Sequence, residues 1–240
     1  MLGGCVMGGT IIKWLGHAFF QITTPKEKVI FIDPWFEGNP SCPAKLDDVL
    51  KGDLILVTHD HFDHVGQTIE LAKKTGATVI APVETAGSLK ENGLPEKQII
   101  FEGIGMNIGG TVEVDGIKVT MTQAFHSSAT ANPAGYIVGL EDGKNIYHAG
   151  DTGIFQSMAL LAELYPLDCA LLPIGGVFTM DSSQAAKAVD LMNPKKVIPM
   201  HFGSFPILEP NADRFKELVT NNNPEVEVII LEPGQEATLD

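Results

Sequence analysis

The stretch DLILVTHDHFDH, residues 53–64, constrains the fold more than any other part of the chain. Its first half is an apolar run, which predicts a short strand that enters the core. Its second half, from His59 to His64, contains three of the chain's seven histidines and two aspartates. These side chains therefore lie where the predicted strand ends and the chain becomes polar.

The spacing within this cluster predicts a metal site. Side chains two residues apart on an extended backbone point to the same side, so His59 and His61 suit two imidazole ligands of one ion. Asp63 and His64 follow after the chain has begun to turn. They are therefore displaced from His59 and His61 and can bind a second ion. The alternative is a solvated polar turn in which Asp63 caps the following helix. The density and spacing of the side chains favour the metal site.

The rest of the chain alternates β-branched runs with amphipathic helical windows and contains no low-complexity linker. Strands are predicted at 10–16, 18–23, 28–34, 53–59, 78–82, 98–103, 169–175, 195–201 and 225–233. Hairpins with Asp-Gly turns are predicted at 112–123 and 135–150, and helices at 65–76, 84–93, 154–165, 182–192 and 212–222, with Asp181 or Ser182 as an N-cap. This mixture favours two mixed sheets packed face to face, with helices outside, over a doubly wound parallel sheet.

Charge and composition narrow the functional classes. The net charge of −14, from thirty acidic and sixteen basic residues, repels nucleic acid and anionic membranes at long range. No apolar run approaches the roughly 20 residues of a membrane helix, and the amino-terminal segment lacks the features of a signal peptide. The sequence therefore predicts a cytoplasmic protein with no membrane partner. Cys5, Cys42 and Cys169 are widely spaced, which disfavours disulfides and a cysteine zinc site.

The motif HDHFDH resembles the signature of the metallo-β-lactamase-fold hydrolases. In that superfamily a third histidine, an aspartate in a Gly-Asp-Thr-like turn and a last histidine follow in order. This chain presents His126, Asp151 and His201 in that order, each at the end of a predicted strand. The resemblance implies an αββα sandwich with a metal cleft at the edges of the two sheets, in agreement with the strand pattern.

Finer similarities point to one branch of that superfamily. The segments WLGHAFF, FIDPWF, YHAGDTG and HFGSFP are similar to those of the small UPF0173-type metal-dependent hydrolases, which are similar to the ascorbate-6-phosphate lactonase branch. Relative to that family, residues 1–9 look like an amino-terminal extension, with Met7 as an alternative start, and residues 10–240 form the metallo-β-lactamase-like domain.

The resemblance implies two divalent ions and seven ligands. Three histidines are expected at one ion, two histidines and an aspartate at the other, and a second aspartate between them: His59, His61 and His126; Asp63, His64 and His201; and Asp151. Imidazoles and carboxylates without a thiolate suit zinc, with manganese or iron as alternatives. Taken alone, His126 or His201 would be explained better by a loop histidine with an ordinary hydrogen bond, and the motif at 59–64 reverses that preference.

Three further residues are candidates for supporting roles. His17 and His148 are predicted near the same edge, where each could fix a ligand's tautomer, contact a substrate anion, transfer a proton or make a purely structural contact. Asp33, at a strand end beside Pro34, could orient one of the motif imidazoles. A simple Asp-Pro turn is the alternative for Asp33.

The expected activity is hydrolysis of a small-molecule ester, lactone, amide or phosphodiester by water activated between two ions, and the resemblance favours a lactone. Asp63 is a candidate catalytic group, because it could hydrogen-bond the nucleophile. The alternatives are a nucleic-acid phosphodiesterase, disfavoured by the net charge, and a non-enzymatic metal-binding module. A di-iron oxidoreductase is a further alternative, but enzymes of that kind with this fold usually have glutamate where this chain has His61, so this alternative is disfavoured. Substrate, metal and oligomeric state stay open.

Overall fold

The computed structural model describes residues 9–240. Cys5, Met7 and the predicted extension, apart from Gly9, lie outside the described residues. The strands within this range are β1 (Thr10–Trp14), β2 (Phe20–Thr23), β3 (Val29–Ile32), β4 (Leu54–Leu56), β5 (Thr78–Ile80), β6 (Thr111–Val114), β7 (Ile117–Gln123), β8 (Ala134–Gly139), β9 (Asn145–His148), β10 (Cys169–Pro173), β11 (Lys196–Met200), β12 (Glu227–Val228) and β13 (Glu236–Leu239). The helices are α1 (Phe62–Val65), α2 (Thr68–Thr75), α3 (Val83–Glu91), α4 (Ile100–Gly103), α5 (Met158–Leu164), α6 (Ser182–Met192) and α7 (Asp213–Asn222).

The strands form two mixed sheets. The first has the order β13-β1-β2-β3-β4-β5 and the second the order β12-β11-β10-β9-β8-β7-β6. In the first sheet β13, β1, β2 and β3 pair antiparallel, whereas β3, β4 and β5 run parallel. In the second sheet β6 to β9 pair antiparallel, whereas β9 to β12 run parallel. Each half of the chain thus combines antiparallel pairs with parallel strand-helix units.

Three apolar cores separate four layers. The central core lies between the sheets and includes Phe20 and Ile198. One outer core packs Leu71 of α2 near Phe31 of the first sheet, and the other packs Val189 of α6 near the second sheet. The predicted αββα sandwich is therefore confirmed. Within residues 9–240, no helix combines the length and apolarity that crossing a membrane requires.

The burial of β4 explains why the stretch before the histidine cluster is continuously apolar. All three residues of this strand are buried. Leu54 and Leu56 enter the central core, whereas Ile55 enters the outer core beneath the helices. A parallel strand covered on both faces needs apolar side chains at every position, so the polar residues of the stretch begin only where the strand leaves the sandwich.

The strand predicted at 98–103 is wrong, because only Ile99 pairs with β5, through one isolated bridge. Ile99 enters the outer core and Ile100 the central core. Both isoleucines are therefore buried although only Ile99 pairs with the sheet edge. The chain then turns within α4, where Phe101 and Glu102 have positive φ values of 54° and 53°. This turn prevents a continuous ladder with β5.

The final strand predicted at 225–233 is confirmed only at Glu227–Val228, which form the edge strand β12. Pro233 cannot donate a backbone hydrogen bond, and Gly234, with a φ of 93°, turns the chain. The segment then crosses to the first sheet, where β13 pairs antiparallel with β1. β13 was not predicted, although Ala237 and Leu239 alternate with exposed residues as in a half-buried strand.

The helix predicted at 65–76 is confirmed as α2, but it begins at Thr68, because the short helix α1 ends at Val65 and the chain turns at Gly66. A Cβ atom at Gly66 would collide with backbone atoms of Pro34 and Trp35, so the close approach of these two loops requires glycine. Asp63 lies inside α1, whose N-cap is His61, and therefore does not cap a helix as the alternative interpretation required.

Several local signals are confirmed. The first Asp-Gly turn has positive φ at both Asp115 (52°) and Gly116 (87°), as a two-residue hairpin requires. Asp181 caps α6 by accepting a hydrogen bond from the backbone N–H of Gln184 at 2.8 Å. These features depend on a few neighbouring residues, so sequence alone could predict them.

Candidate metal centre

Ionisable side chains from both sheets converge at one edge of the sandwich. His59 lies just beyond β4 of the first sheet, whereas His126, Asp151 and His201 follow β7, β9 and β11 of the second. The predicted ligands and His17 fall into three overlapping groups, and within each group the ligand atoms all lie within 4.8 Å of one another. The fold therefore brings together side chains that are far apart in sequence.

The first group consists of His59, His61 and His126. The Nδ1 atom of His61 lies 2.9 Å from Nε2 of His59 and 3.3 Å from Nε2 of His126. Burial lowers the pKa of His59 to about 3 and also lowers the pKa of His126, so these two rings are neutral at pH 7. Neutral imidazole nitrogens that face one another this closely match a donor set for a transition-metal cation.

The second group consists of Asp63, His64 and His201, with His17 beside it. Asp63 is half-buried in α1, and its Oδ2 atom lies 3.1 Å from Nε2 of His17. Burial opposes ionisation of Asp63, but the hydrogen bond from His17 and the nearby His64 outweigh burial and lower the pKa of the carboxyl group. Asp63 is therefore an ionised oxygen donor beside two imidazoles.

Asp151 lies between the two groups. Its Oδ2 atom is 3.6 Å from Nε2 of His126 in the first group. The same oxygen is 3.3 Å from Nε2 of His64 and 2.9 Å from Nε2 of His201 in the second group. The side chain is buried, so this carboxylate contacts imidazoles of both groups away from solvent.

The donor set fits divalent cations. Asp151 Oδ1 is buried and has no hydrogen-bond partner among the described residues, so an electron-donating atom at the centre is available. Burial lowers the pKa of His64, but Asp151 and Asp33 outweigh burial and raise that pKa well above its ordinary value. The surroundings of the His64 ring thus stabilise positive charge, which a cation coordinated by imidazoles and carboxylates supplies.

Asp33 is linked to one predicted ligand of each group, directly to His64 and through Thr58 to His59. His64 donates its Nδ1–H to Asp33 Oδ2 at 2.7 Å, which leaves the Nε2 lone pair of His64 directed at the centre. The Thr58 hydroxyl donates to the same carboxylate oxygen at 2.7 Å and lies 3.0 Å from Nδ1 of His59. Carboxylates that fix ligand imidazoles in this way are a regular feature of metal sites. The contacts favour the predicted orienting role over a simple Asp-Pro turn.

His17 connects the second group to the loop after β11. Its Nε2 atom faces Asp63, and its Nδ1 atom lies 2.6 Å from the hydroxyl oxygen of Ser204. Burial lowers the pKa of His17 to about 4, so the ring is neutral at pH 7. The network is satisfied when Ser204 donates to Nδ1 and Nε2–H donates to Asp63.

The hydrogen bonds of the His148 ring go to backbone atoms. Its Nε2–H donates to the carbonyl oxygen of Ala18 at 2.9 Å, and its Nδ1 accepts the N–H of Gly150 at 3.1 Å. The ring is fully buried and belongs to none of the three ligand groups. These contacts favour the structural alternative for His148, which holds the turn that precedes Asp151.

Three residues at the centre have a strained backbone conformation. His17, Asp33 and His201 have positive φ values of 58°, 51° and 58°, a conformation that is uncommon outside glycine. The backbone N–H of His201 donates to the carbonyl oxygen of His17 at 3.0 Å, which ties two of these residues together. Strained residues of this kind persist where the surrounding structure holds them, often at functional sites.

Asp60 ties the histidine cluster to the loop that carries His126. Its Oδ1 atom accepts hydrogen bonds from the Ser128 hydroxyl at 2.6 Å and from the backbone N–H of Ala129 at 2.8 Å. Burial opposes ionisation of Asp60, but the hydrogen bonds outweigh it and lower the pKa of the carboxyl group. Asp60 therefore links the segment that carries His59 and His61 to the loop that carries His126.

We expect Asp60→Ala to weaken metal binding at the first group by about 10- to 100-fold, the usual cost of losing a group that positions a ligand. The loop would move because both hydrogen bonds disappear. Metal affinity, measured by competition with a chelator, checks this. Asp48→Ala is a matched control, since Asp48 is exposed and belongs to none of the three groups. Equal affinities for the two variants would show that Asp60 does not position His126.

Comparison with known proteins agrees with this geometry. The family model of the β-lactamase superfamily domain matches residues 28–202, which include all seven predicted ligands. A UPF0173 metal-dependent hydrolase of Nitratidesulfovibrio vulgaris is 52% identical over 231 residues, which are 96% of each chain. The chain belongs to the UPF0173 family of metal-dependent hydrolases. A relative with the same description in Lawsonia intracellularis is 48% identical to this hydrolase and covers 94% of this chain and 97% of its own.

A solved structure extends the comparison. The hydrolase is 37% identical to Igni18, described as a metallo hydrolase of the archaeon Ignicoccus hospitalis, with a TM-score of 0.87. The alignment covers 96% of this chain and 98% of Igni18. The metallo-β-lactamase fold and the family that the motif resembles are thus confirmed.

Thr58, Asp60 and Ser204 connect the predicted site residues through hydrogen bonds, and none of the three was predicted from the sequence. Thr58 and Asp60 lie within the histidine stretch, and a polar side chain beside each ligand was a usable signal for a hydrogen bond. Ser204 lies in the segment HFGSFP, but nothing in that segment indicates that its hydroxyl contacts His17. Such contacts depend on how loops from different strands pack.

Proposed function

We propose that this hydrolase binds two divalent cations, one at the first group and one at the second, with Asp151 shared between them. Zinc is the expected metal, with manganese or iron as alternatives, because the donors are imidazole nitrogens and carboxylate oxygens. The position of Asp151 carries the proposal, since one carboxylate oxygen lies within 3.6 Å of imidazoles of both groups.

The proposed reaction is the hydrolysis of an ester or lactone bond in a small molecule. When bound, the two cations would polarise the substrate carbonyl and lower the pKa of a coordinated water. The chain's own contribution is to orient these partners. Asp63 is ionised and open to the cleft, so it can accept a hydrogen bond from the attacking water. His17 holds its proton on Nε2 toward Asp63, and Ser204 fixes that tautomer.

The open cleft above the two groups favours a catalytic rather than a purely structural metal site. Both cations would sit at the floor of an open cleft that is lined by His61, Asp63, His126, Asp151 and His201. Structural zinc sites are closed by their protein ligands, whereas catalytic sites keep an open position for water or substrate. The openness of the floor therefore supports hydrolysis.

Metal analysis and a substrate panel test the proposal together. After removal of metal by a chelator and reconstitution with zinc or manganese, we expect close to two ions per chain. The loaded protein should hydrolyse simple carboxylic esters or lactones, and the metal-free protein should not. A stoichiometry that never exceeds one ion would reject the shared arrangement. Two bound ions without hydrolysis of any ester, lactone, amide or phosphodiester would favour a metal-binding module.

A further inference from the structure

The cleft above the candidate metal centre has an apolar wall. Its volume is about 690 Å³, within the usual range for a small-molecule site. The ionisable residues form the floor, and five residues form what we term the apolar wall: Phe62, Phe178, Phe205, Pro206 and Ile207. The wall combines residues from α1, from the loop after β10 and from the loop after β11. Three separate segments thus bring hydrocarbon side chains to one place.

The wall is exposed although its side chains are large. Phe62 is 68% exposed, Phe178 is 53% exposed and Ile207 is 58% exposed. Hydrophobic side chains that cluster in water beside a polar centre usually mark a binding surface. Their position around the open floor indicates that the partner is the molecule that reaches the metal centre.

A buried tryptophan holds part of the wall in place. The ring of Trp35 lies 5.7 Å from the ring of Phe62 in an edge-to-face arrangement and 5.9 Å from the ring of Phe205 in a stacked one. Trp35 itself is buried. Because aromatic pairs in these geometries attract one another, Phe62 and Phe205 present a preformed apolar surface to the cleft.

The cleft offers no cationic side chain to an anion. None of the described residues that line it is lysine or arginine. Its ionisable side chains are the candidate ligands, including the carboxylates of Asp63 and Asp151. Phosphate groups of ligands are usually held by arginine, lysine or backbone N–H groups, and the net charge of −14 adds long-range repulsion of anions. Outside the centre the lining offers the Ser127 hydroxyl and hydrocarbon, so a substrate phosphate away from the reacting bond would lie there without a cationic partner.

We propose that the substrate is an uncharged carboxylic ester or lactone whose hydrocarbon or aromatic group packs on the apolar wall. This inference rests on the hydrolytic function proposed above. In the reaction, the oxygen of one water bonds to the acyl carbon, and the acyl carbon–oxygen bond of the ester breaks. One proton of that water passes to the leaving alkoxide oxygen. The products are a carboxylic acid and an alcohol, or a hydroxy acid from a lactone.

Esters with one leaving group and different acyl chains test the inference. The 4-nitrophenyl acetate, butanoate and hexanoate series should show kcat/KM rising by up to about fourfold for each methylene that reaches the wall. The 4-nitrophenyl ester of 6-phosphonohexanoic acid should be hydrolysed about 100-fold less efficiently than the hexanoate, because its charge would be buried without a partner. Phe178→Ala and Ile207→Ala should each lower the hexanoate-to-acetate ratio of kcat/KM about tenfold. Leu50→Ala is the matched control, since Leu50 is 95% exposed and is not part of the wall.

Binding of methyl ketones gives a readout that does not depend on turnover. These molecules have an uncharged carbonyl group and cannot be hydrolysed. Titration calorimetry should show affinity increasing from 2-butanone to 2-octanone, and Phe178→Ala should reduce this increase while Leu50→Ala should not. Hydrolysis that does not depend on chain length would overturn the inference, as would equal rates for the phosphonate ester and the hexanoate ester. Either result would still agree with the proposed hydrolytic function. Chain-length-dependent ketone binding by a protein that hydrolyses no ester would instead reject the proposed function and confirm the apolar site.

Discussion

Asp151→Ala should weaken binding of both ions of the metal pair, whereas His201→Ala should mainly empty one site. The carboxylate of Asp151 contacts imidazoles of both groups, and it alone among the proposed ligands is assigned to both cations. It would offset the repulsion of two dications and set their separation. Removing it should lower second-site affinity by well over the about 10- to 100-fold typical of residues that only position a ligand, and hydrolysis should disappear with the metal pair.

The fold should largely survive both substitutions, because the site lies at an edge of the sandwich rather than in one of its three cores. Bound metal, circular dichroism and turnover of the two variants should be measured together. Two tightly bound ions and near-normal turnover in Asp151→Ala would show that the carboxylate is not shared. Loss of secondary structure in Asp151→Ala alone would assign the residue a structural role.

The layered fold could be predicted because its signals are local. Alternating or continuous apolar runs gave most strands, and the Asp-Gly turns and the Asp181 cap marked element ends. The errors at 98–103 and 225–233 have a different cause. Whether Ile99 extends into a ladder depends on the turn at Phe101, and whether the last segment pairs with β1 depends on a crossing between sheets. Pairing partners are not encoded in a segment's own composition.

The candidate site divides in the same way. The cluster from His59 to His64 was visible as a dense motif on one short segment. His126, Asp151 and His201 are isolated in sequence, and only the resemblance to a known family connected them to the motif. The structure brings these residues together, and their assignment as ligands is the proposal that the Asp151 variant tests.

The residues that hold the site in place and those that would select the substrate were the hardest to predict. Thr58, Asp60 and Ser204 act through hydrogen bonds whose partners lie on other loops. Phe178 and Ile207 of the apolar wall lie in loops whose conformation no periodic pattern describes. Sequence therefore indicated the chemistry of the centre better than the molecule that it acts on.

Asp33→Asn should weaken both proposed metal sites without removing a ligand. The carboxylate of Asp33 accepts three hydrogen bonds, from the backbone N–H of Thr58 at 2.8 Å, the Thr58 hydroxyl at 2.7 Å and the Nδ1–H of His64 at 2.7 Å. Burial opposes ionisation of Asp33, but His64 outweighs it and lowers the pKa of the carboxyl group, so the acceptor is charged at pH 7. An amide would turn an N–H group toward one of these donors.

We expect Asp33→Asn to lower metal affinity about 10- to 100-fold and the free energy of unfolding by about 1–3 kcal/mol, since at least one buried donor loses its partner. Thr58→Val separates the two effects. It keeps the hydrogen bond between Asp33 and His64 but removes the hydroxyl beside His59. It should therefore lower metal affinity at the first group and leave metal affinity at the second unchanged. Thr68→Val is the matched control, because the buried Thr68 hydroxyl has no hydrogen-bond partner among the described residues.

Chelator competition, resolved for the two ions, and denaturant unfolding of the metal-free proteins measure these effects separately. If Asp33 orients His64 directly and His59 through Thr58, Asp33→Asn must weaken the binding of both ions. Thr58→Val must then weaken only the binding of the ion at the first group. Wild-type metal affinity in Asp33→Asn together with reduced stability would show that Asp33 serves folding alone. Equal loss at both ions in Thr58→Val would show that the two groups are coupled by more than Asp33, and Asp151 would be the residue that couples them.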